Sequence, residues 1–179
     1  MNKLIISICL ILSGFTVWSQ GETEISTIRI GPFKIFMSST EASAIASKQL
    51  AIPTEKNEYN GTTIVRYNGD LIELNIGEDY TNDATAAATK YTIQSMVTQS
   101  SNFKTKSGMG VGSTREQLLN TYKNFSSFSV YSGWTDEGKR SKVETYFVLN
   151  DEDANTQIIF KMRNNVVEEI TVSIVYEGC

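Results

Sequence analysis

The residue types that most often carry enzyme chemistry are scarce in this sequence. The 179-residue chain contains no histidine and only two cysteines, Cys9 and Cys179. Without histidine, Ser–His and Cys–His nucleophile pairs cannot form, and the commonest zinc ligand is missing. Carboxylates alone can hydrolyse glycosidic bonds, but no acidic pair can be placed across a pocket here. We therefore predict a non-enzymatic protein without catalytic residues, metal or cofactor, and keep a carboxylate-only hydrolase as an alternative.

Two segments resemble ligand-binding loops but lack the residues that would bind the ligand. The glycines of Gly108–Gly112 have neither the Gly-Lys-Ser/Thr ending nor the GxGxxG spacing of a phosphate loop. Asp151, Asp153 and Asn155 alternate like the start of an EF-hand, but Thr156 stands where that loop needs glycine. We predict a tight strand-to-helix turn for the first segment and a solvated hairpin turn for the second.

Three aromatic residues, Tyr131, Trp134 and Tyr146, are the candidate partner-binding residues. Ser132-Gly133 and Asp136–Gly138 flank Trp134, which predicts that it lies in a turn-rich connection. Tyrosine and tryptophan are over-represented among the residues that dominate protein interfaces. The alternative is that Trp134 folds back and caps the core.

The first nineteen residues predict a cleavable signal peptide. Lys3 is their only charged residue, and an almost wholly apolar run, Leu4–Leu12, follows it. The run is too short for a transmembrane helix, and small residues suit a cut before Gln20. Two alternatives are a buried N-terminal helix or strand and lipid attachment at Cys9. We expect an exported protein, periplasmic or secreted, with no stable membrane insertion after cleavage.

The mature chain predicted by this cut has 160 residues, a length typical of one domain. Without Lys3 its 15 basic residues face 20 acidic ones, a net charge of −5. No basic stripe is present, so nucleic acid and anionic membrane surfaces are poor candidate partners. Cys179 is its only cysteine, which excludes a disulfide within the chain.

The pattern of elements predicts an α+β fold made of two tandem units, residues 20–105 and 106–179. Each has a glycine-marked extended segment, a helix with a capping box (Ser38 with Glu41, Ser113 with Glu116), and three antiparallel strands. Chance similarity between the halves is the alternative. The predicted strands are 62–67, 71–76, 91–99, 143–149, 157–162 and 166–176, with hairpin turns at Asn68-Gly69 and Asn164-Asn165.

These units are expected to form one antiparallel sheet with the two helices packed on one face. In the final strand, Ile170, Val172 and Ile174 should face the helices, because side chains alternate along a strand. The same argument predicts that Thr92 and Gln94 are exposed. Residues 77–90 form an insertion in the first unit.

The stretch Gly110-Val111-Gly112-Ser113-Thr114-Arg115-Glu116-Gln117-Leu118 resembles the opening of the β-lactamase-inhibitor-protein-like domains. Those exported bacterial domains are similar to the small outer-membrane assembly lipoprotein of the SmpA/OmlA type. The sequence departs from them at Phe36, where the first unit should have glycine, and in having no disulfide. The resemblance implies tandem α+β units whose sheet grips a partner protein.

The expected function is therefore an exported protein-binding or envelope-assembly domain, acting through its sheet face and loops on a protein partner. The alternative is a carrier of a small apolar or lipid-like ligand between helices and sheet. Small residues facing the sheet would favour the carrier, and Ala42, Ala44, Ala46 and Ala51 are candidates for them.

Overall fold

The computed structural model describes residues 22–53, 60–79 and 90–175. The predicted signal peptide 1–19, Cys179 and most of the predicted insertion 77–90 lie outside the described residues. Of the described residues, 53% are in strands and 12% in helices.

Eleven strands and two helices make up the described chain. In order they are β1 (Glu24–Ser26), β2 (Arg29–Ile30), β3 (Phe33–Lys34), α1 (Ser39–Ala46), β4 (Asn60–Tyr67), β5 (Asp70–Glu78), β6 (Tyr91–Thr98), β7 (Lys104–Thr105), α2 (Arg115–Tyr122), β8 (Phe128–Trp134), β9 (Arg140–Asp151), β10 (Thr156–Arg163) and β11 (Val166–Ile174).

The strands form two sheets. The large sheet is antiparallel and has seven strands in the order β4-β5-β6-β11-β10-β9-β8. The small sheet has the order β3-β2-β1-β7, and it is mixed because β1 and β7 run parallel. In the large sheet the first and second halves of the chain join where β6 pairs with β11, from Thr98 opposite Ile170 to Ser95 opposite Ser173.

The predicted architecture of two helix-plus-three-strand units is wrong. The second half contributes four strands to the large sheet, because Phe128–Trp134 forms β8. The segments before the helices contribute short strands to a separate sheet. Each helix has only eight residues, and the fully buried side chains that they supply are Ala42 and Leu118. Such short helices cannot cover a seven-stranded sheet, and the small sheet completes the core with Ile25, Ile30 and Phe33.

Period-two alternation gives the large sheet two unlike faces. On the inner face, cross-strand partners are buried apolar side chains that share one core with the helices and the small sheet. One such row crosses five strands: Leu149, Ile158, Val172, Met96 and Leu74. The side away from this core, the outer face, carries the intervening residues of each strand. One of its rows is wholly polar: Asn150, Gln157, Ser173, Ser95 and Asn75.

Both predicted two-residue hairpin turns are confirmed. Asn68 and Gly69 have φ of 49° and 92°, and Asn164 and Asn165 have φ of 52° and 65°. Left-handed φ at both central residues matches the right-handed twist of the flanking strands, and asparagine and glycine tolerate it best.

The N-cap of α1 is Ser38 as predicted, but only the Ser38 half of the predicted capping box is present. In α2 the start differs from the prediction by one residue. Ser38 caps α1, its hydroxyl accepting from the Glu41 amide at 3.2 Å. The N-cap of α2 is Thr114 rather than Ser113. Thr114 accepts from the Gln117 amide at 3.2 Å, while the Gln117 side chain accepts from the Thr114 amide at 2.8 Å. Ser113 is buried instead, and its hydroxyl accepts from the amide of Gly110.

Thr92 and Gln94 are buried, contrary to the prediction that they are exposed. The register between β5 and β6 shifts after Asn75, so that Ile76 pairs with Ile93 and Gln94 has no partner on β5. This bulge breaks the simple alternation on which the prediction depended. The Gln94 amide donates to the Thr92 hydroxyl at 3.1 Å, which satisfies a buried polar group.

No helix within the described ranges is long and apolar enough to cross a membrane.

Candidate functional site

Two of the three predicted binding residues lie side by side on the outer face. Tyr131 of β8 is directly opposite Tyr146 of β9. Their rings are stacked, with centroids 5.4 Å apart and planes 24° from parallel. Tyr131 is 45% exposed although it belongs to a strand. The pair forms an accessible aromatic surface at the margin of the sheet.

Trp134 belongs to the same strand but not to this pair. It is the last residue of β8, so the prediction of a turn-rich connection around it is wrong. A register irregularity separates Trp134 from the regular ladder that holds Tyr131, and Trp134 lies opposite Arg140. Its side chain is 65% exposed and does not cap the core. The guanidinium of Arg140 lies over the indole, 5.4 Å from the ring centroid, within the range of a cation–π interaction.

Tyr146 is held in place by Glu144, whose carboxylate also lies near the cationic groups of Lys161 and Arg163. The Tyr146 hydroxyl donates to Glu144 Oε1 at 2.8 Å. Glu144 Oε2 lies 3.8 Å from Lys161 Nζ and 3.7 Å from Arg163 Nη2. Arg163 Nε also donates to Glu168 at 2.9 Å. Because the Glu144 side chain is only 19% exposed, its hydrogen bond to the tyrosine is better shielded from solvent than a surface contact.

The surroundings of Tyr146 raise the pKa of its hydroxyl to about 12. Burial makes the largest contribution, followed by the hydrogen bond to Glu144 and the negative charge of that carboxylate. All three disfavour the phenolate. Tyr146 therefore remains a protonated donor to Glu144 throughout the physiological range.

Gly133 is the residue that lets this arrangement form. A Cβ at this position would clash with Glu144 Oε1 and lie 3.1 Å from Cε2 of Tyr146. The Tyr146 side chain therefore packs over Gly133, where a methyl group would displace the Glu144 carboxylate from its place beside the tyrosine. Covering a strand glycine with an aromatic from the neighbouring strand is a known way of supporting an edge strand.

The strand that carries Tyr131 and Trp134 is an edge of the large sheet. Among the described residues, β9 is the only strand that pairs with β8. The sequence of β8, Phe-Ser-Val-Tyr-Ser-Gly-Trp, contains neither a charged residue nor a proline. Natural proteins usually blunt sheet edges with such residues. Sequence reasoning missed this edge, and the absence of charge between Phe128 and Trp134 was the signal that could have indicated it.

A shallow depression of about 500 Å³ lies elsewhere on the sheet, where β4, β5 and β6 meet. Apolar Ile64, Leu71 and Val97 line it together with charged Arg66 and Glu169. The Gln99 amide donates to Glu169 at 2.9 Å. The lining mixes both charge signs with apolar atoms and favours no single ligand.

The structure places the remaining candidates apart. Of the alanines predicted to line a carrier pocket, Ala42 is buried, Ala46 is half-buried, and Ala44 and Ala51 are exposed. No group of three acidic, histidine or cysteine residues that could hold a metal is found in the part of the chain that the structure describes.

No family model, no curated protein and no solved structure matches the chain.

Proposed function

We propose that this chain is an exported, non-enzymatic domain that binds a protein partner through β8 and the aromatic residues Tyr131, Trp134 and Tyr146. The observation that carries the proposal is an uncharged edge strand with three exposed aromatic side chains, Phe128, Tyr131 and Trp134. Such a strand can add an extended segment of a partner to its sheet, with backbone hydrogen bonds giving affinity and side chains giving specificity.

The aromatic residues have the properties of interface anchors. Tyr131 and Trp134 are 45% and 65% exposed, so a partner would remove a large apolar area from water. Tyr146 is fixed by Glu144 and by packing over Gly133. Side chains that are held in place before binding lose little conformational entropy on binding.

Export to the cell envelope is the second component of the proposal. It rests on the predicted signal peptide 1–19 and agrees with the resemblance to envelope-assembly and inhibitor domains. In that compartment, strand addition would require no cofactor and no covalent chemistry, in keeping with a sequence that has no histidine.

Affinity capture tests the proposal. The mature protein, immobilised, should retain a specific protein from the envelope fraction or the medium. Trp134→Ala should weaken that capture at least about tenfold, as expected for an interface hot spot. Because Trp134 is largely exposed, the melting temperature of the Trp134→Ala variant should stay close to that of the wild type.

Ile64→Ala is the matched control, since Ile64 is 54% exposed and lies on β4 at the opposite edge of the same sheet. Equal capture by the wild type and both variants would count against β8 as the binding edge. Recovery of no specific protein would count against the binding function itself.

A further inference from the structure

Exposed aromatic side chains and an unpaired strand edge coincide at β8. In an antiparallel ladder about half of the backbone N–H and C=O groups of an edge strand point away from its neighbour. Among the described residues, β8 pairs on one side with β9 and on the other with no strand. Its Phe128, Tyr131 and Trp134 all rank among the exposed large hydrophobic residues.

The opposite edge of the sheet is protected. The segment after α1 lies along β4, where the Ala51 amide donates to the Thr63 hydroxyl at 2.8 Å and Lys48 Nζ donates to the Ile64 carbonyl at 3.2 Å. Arg66 adds a charge to the same strand. Both are devices that discourage edge-to-edge pairing, and β8 has neither the charge nor a described covering segment.

The aromatic residues of β8 are spaced symmetrically. Phe128 and Trp134 lie three residues before and three residues after Tyr131. In an antiparallel pair of identical strands centred on Tyr131, that tyrosine faces its own copy, and Phe128 of each strand faces Trp134 of the other. Opposite residues in such a pair share a face. The register irregularity before Trp134 has its extra residues on β9, where residues 141–144 stand against Gly133 alone, so β8 itself continues as one seven-residue strand through Trp134.

We infer that β8 pairs with β8 of a second copy of this chain, forming a two-fold symmetric dimer with one continuous fourteen-stranded sheet. The inference rests on the proposed function, because it names the partner of the same aromatic strand. A two-fold interface must be complementary to itself, and the centred register gives each exposed aromatic of β8 an aromatic partner. No charge on either strand opposes the pairing.

The dimer would also extend the aromatic stack. Tyr146 and Tyr131 of one copy, followed by Tyr131 and Tyr146 of the other, would form a row of four rings across the junction. An interface of one seven-residue strand is smaller than the roughly 800 Å² per partner of a typical stable complex. The dimer should therefore be reversible and depend on concentration.

Sedimentation of the mature protein over a range of concentrations tests the inference. The wild type should shift from monomer towards dimer as concentration rises. Tyr131→Lys puts two like charges opposite each other at the two-fold axis, and should leave a monomer at every concentration. Ile64→Lys, on β4, should dimerise like the wild type. Circular dichroism and the melting temperature establish that each variant is folded.

A cross-link makes the register testable without relying on loss of association. Cα atoms of directly opposite residues lie about 4.5–5.5 Å apart, within the range that a disulfide can bridge. In a Cys179→Ser background, Tyr131→Cys should form a covalent dimer rapidly under mild oxidation, and Ile64→Cys should not. Equal cross-linking at both positions, or a wild type that stays monomeric, overturns the inference.

The two proposals can fail separately. Capture of an envelope protein by a chain that sediments as a monomer would overturn the dimer and leave the binding function standing. A dimer abolished by Tyr131→Lys, with no other protein captured, would establish the self-association and contradict the envelope partner.

Discussion

At the scale of single residues, the raised pKa of Tyr146, caused first by burial and then by its hydrogen bond to Glu144, couples the stacked tyrosine pair to pH. The folded pKa of Tyr146 is about 12, above its ordinary value of 10.0. A raised pKa in the folded state means that the contribution of the hydroxyl to stability is complete below pH 10 and is lost as pH rises through about 12.

We therefore expect the unfolding free energy of the wild type to fall more steeply between about pH 10 and about pH 12 than that of Tyr146→Phe. Phenylalanine keeps the stacked ring and removes the titrating hydroxyl. Urea unfolding at several pH values in that window measures the difference. In Glu144→Gln, a spectroscopic titration should find a lower pKa for Tyr146. Parallel pH profiles for wild type and Tyr146→Phe would contradict the assignment.

Gly133 offers a second prediction at this scale. Gly133→Ala inserts a methyl group between the backbone of β8 and the Glu144–Tyr146 pair, and should cost about 1–3 kcal/mol of unfolding free energy. Ser129→Ala, on the same strand and the same side, is the control and should change stability by less than about 0.5 kcal/mol. Equal unfolding free energies for the two variants would show that the packing of Tyr146 does not depend on glycine at position 133.

At the scale of elements, the two-residue turns determine the register of the hairpins. Asn165 has a φ of 65° in the turn between β10 and β11. Asn165→Ala should cost about 1–2 kcal/mol, because alanine lacks the short polar side chain whose local hydrogen bonds let asparagine tolerate the left-handed region. Asn165→Gly should stay within about 0.5 kcal/mol of the wild type or exceed it. Urea unfolding compares the two, and a harmless alanine would show that the turn is not strained.

The same elements show what the sequence could and could not predict. The hairpin of β4 and β5 and the strands β9, β10 and β11 were predicted because alternation and asparagine-glycine turns are local signals. β8 was missed because an edge strand has no strongly buried side, and Ser129, Ser132 and Gly133 give it little apolar pattern. The short strands of two or three residues were missed because such a length cannot show a period.

Sequence reasoning supplied the candidate residues of the site but not their geometry. Tyr131, Trp134 and Tyr146 were chosen for their chemistry, which sequence displays directly. The stacking of the two tyrosines depends on the register of β8 against β9, which is regular from Phe128 to Ser132. The irregularity between Ser132 and Trp134 separates Trp134 from that ladder, and such an irregularity leaves no mark in the composition.

At the scale of the whole molecule, the core is continuous across the junction of β6 and β11. Met96 lies in the row that runs from Leu74 through Val172 to Leu149, and it is fully buried. Both halves of the chain should therefore unfold together. Met96→Ala should cost about 2–5 kcal/mol, the usual range for truncating a buried methionine, and should lower the stability of both halves equally.

Two probes check this cooperativity. In the mature form that begins at the predicted cut, Trp134 is the only tryptophan, and its fluorescence reports on the second half. Amide exchange in β5 reports on the first. Coincident urea midpoints for the two probes, in the wild type and in Met96→Ala, are expected. Separate midpoints would mean that the two halves do not unfold cooperatively across the pairing of β6 with β11.

The position of β11 has a consequence for how the chain comes to be folded. It lies between β6 and β10 in the interior of the large sheet, although it is the last of the eleven described strands in chain order. During synthesis the ten earlier strands therefore emerge before the strand that joins them. Until β11 is available, β6 and β10 each have one unpaired side, and the pairing that links the two halves cannot form. Such long-range pairing is also slow, because the entropy cost of closing a large loop comes before any stabilising contact forms. A chain built in this order stays without its complete fold until the last of its described strands has been made.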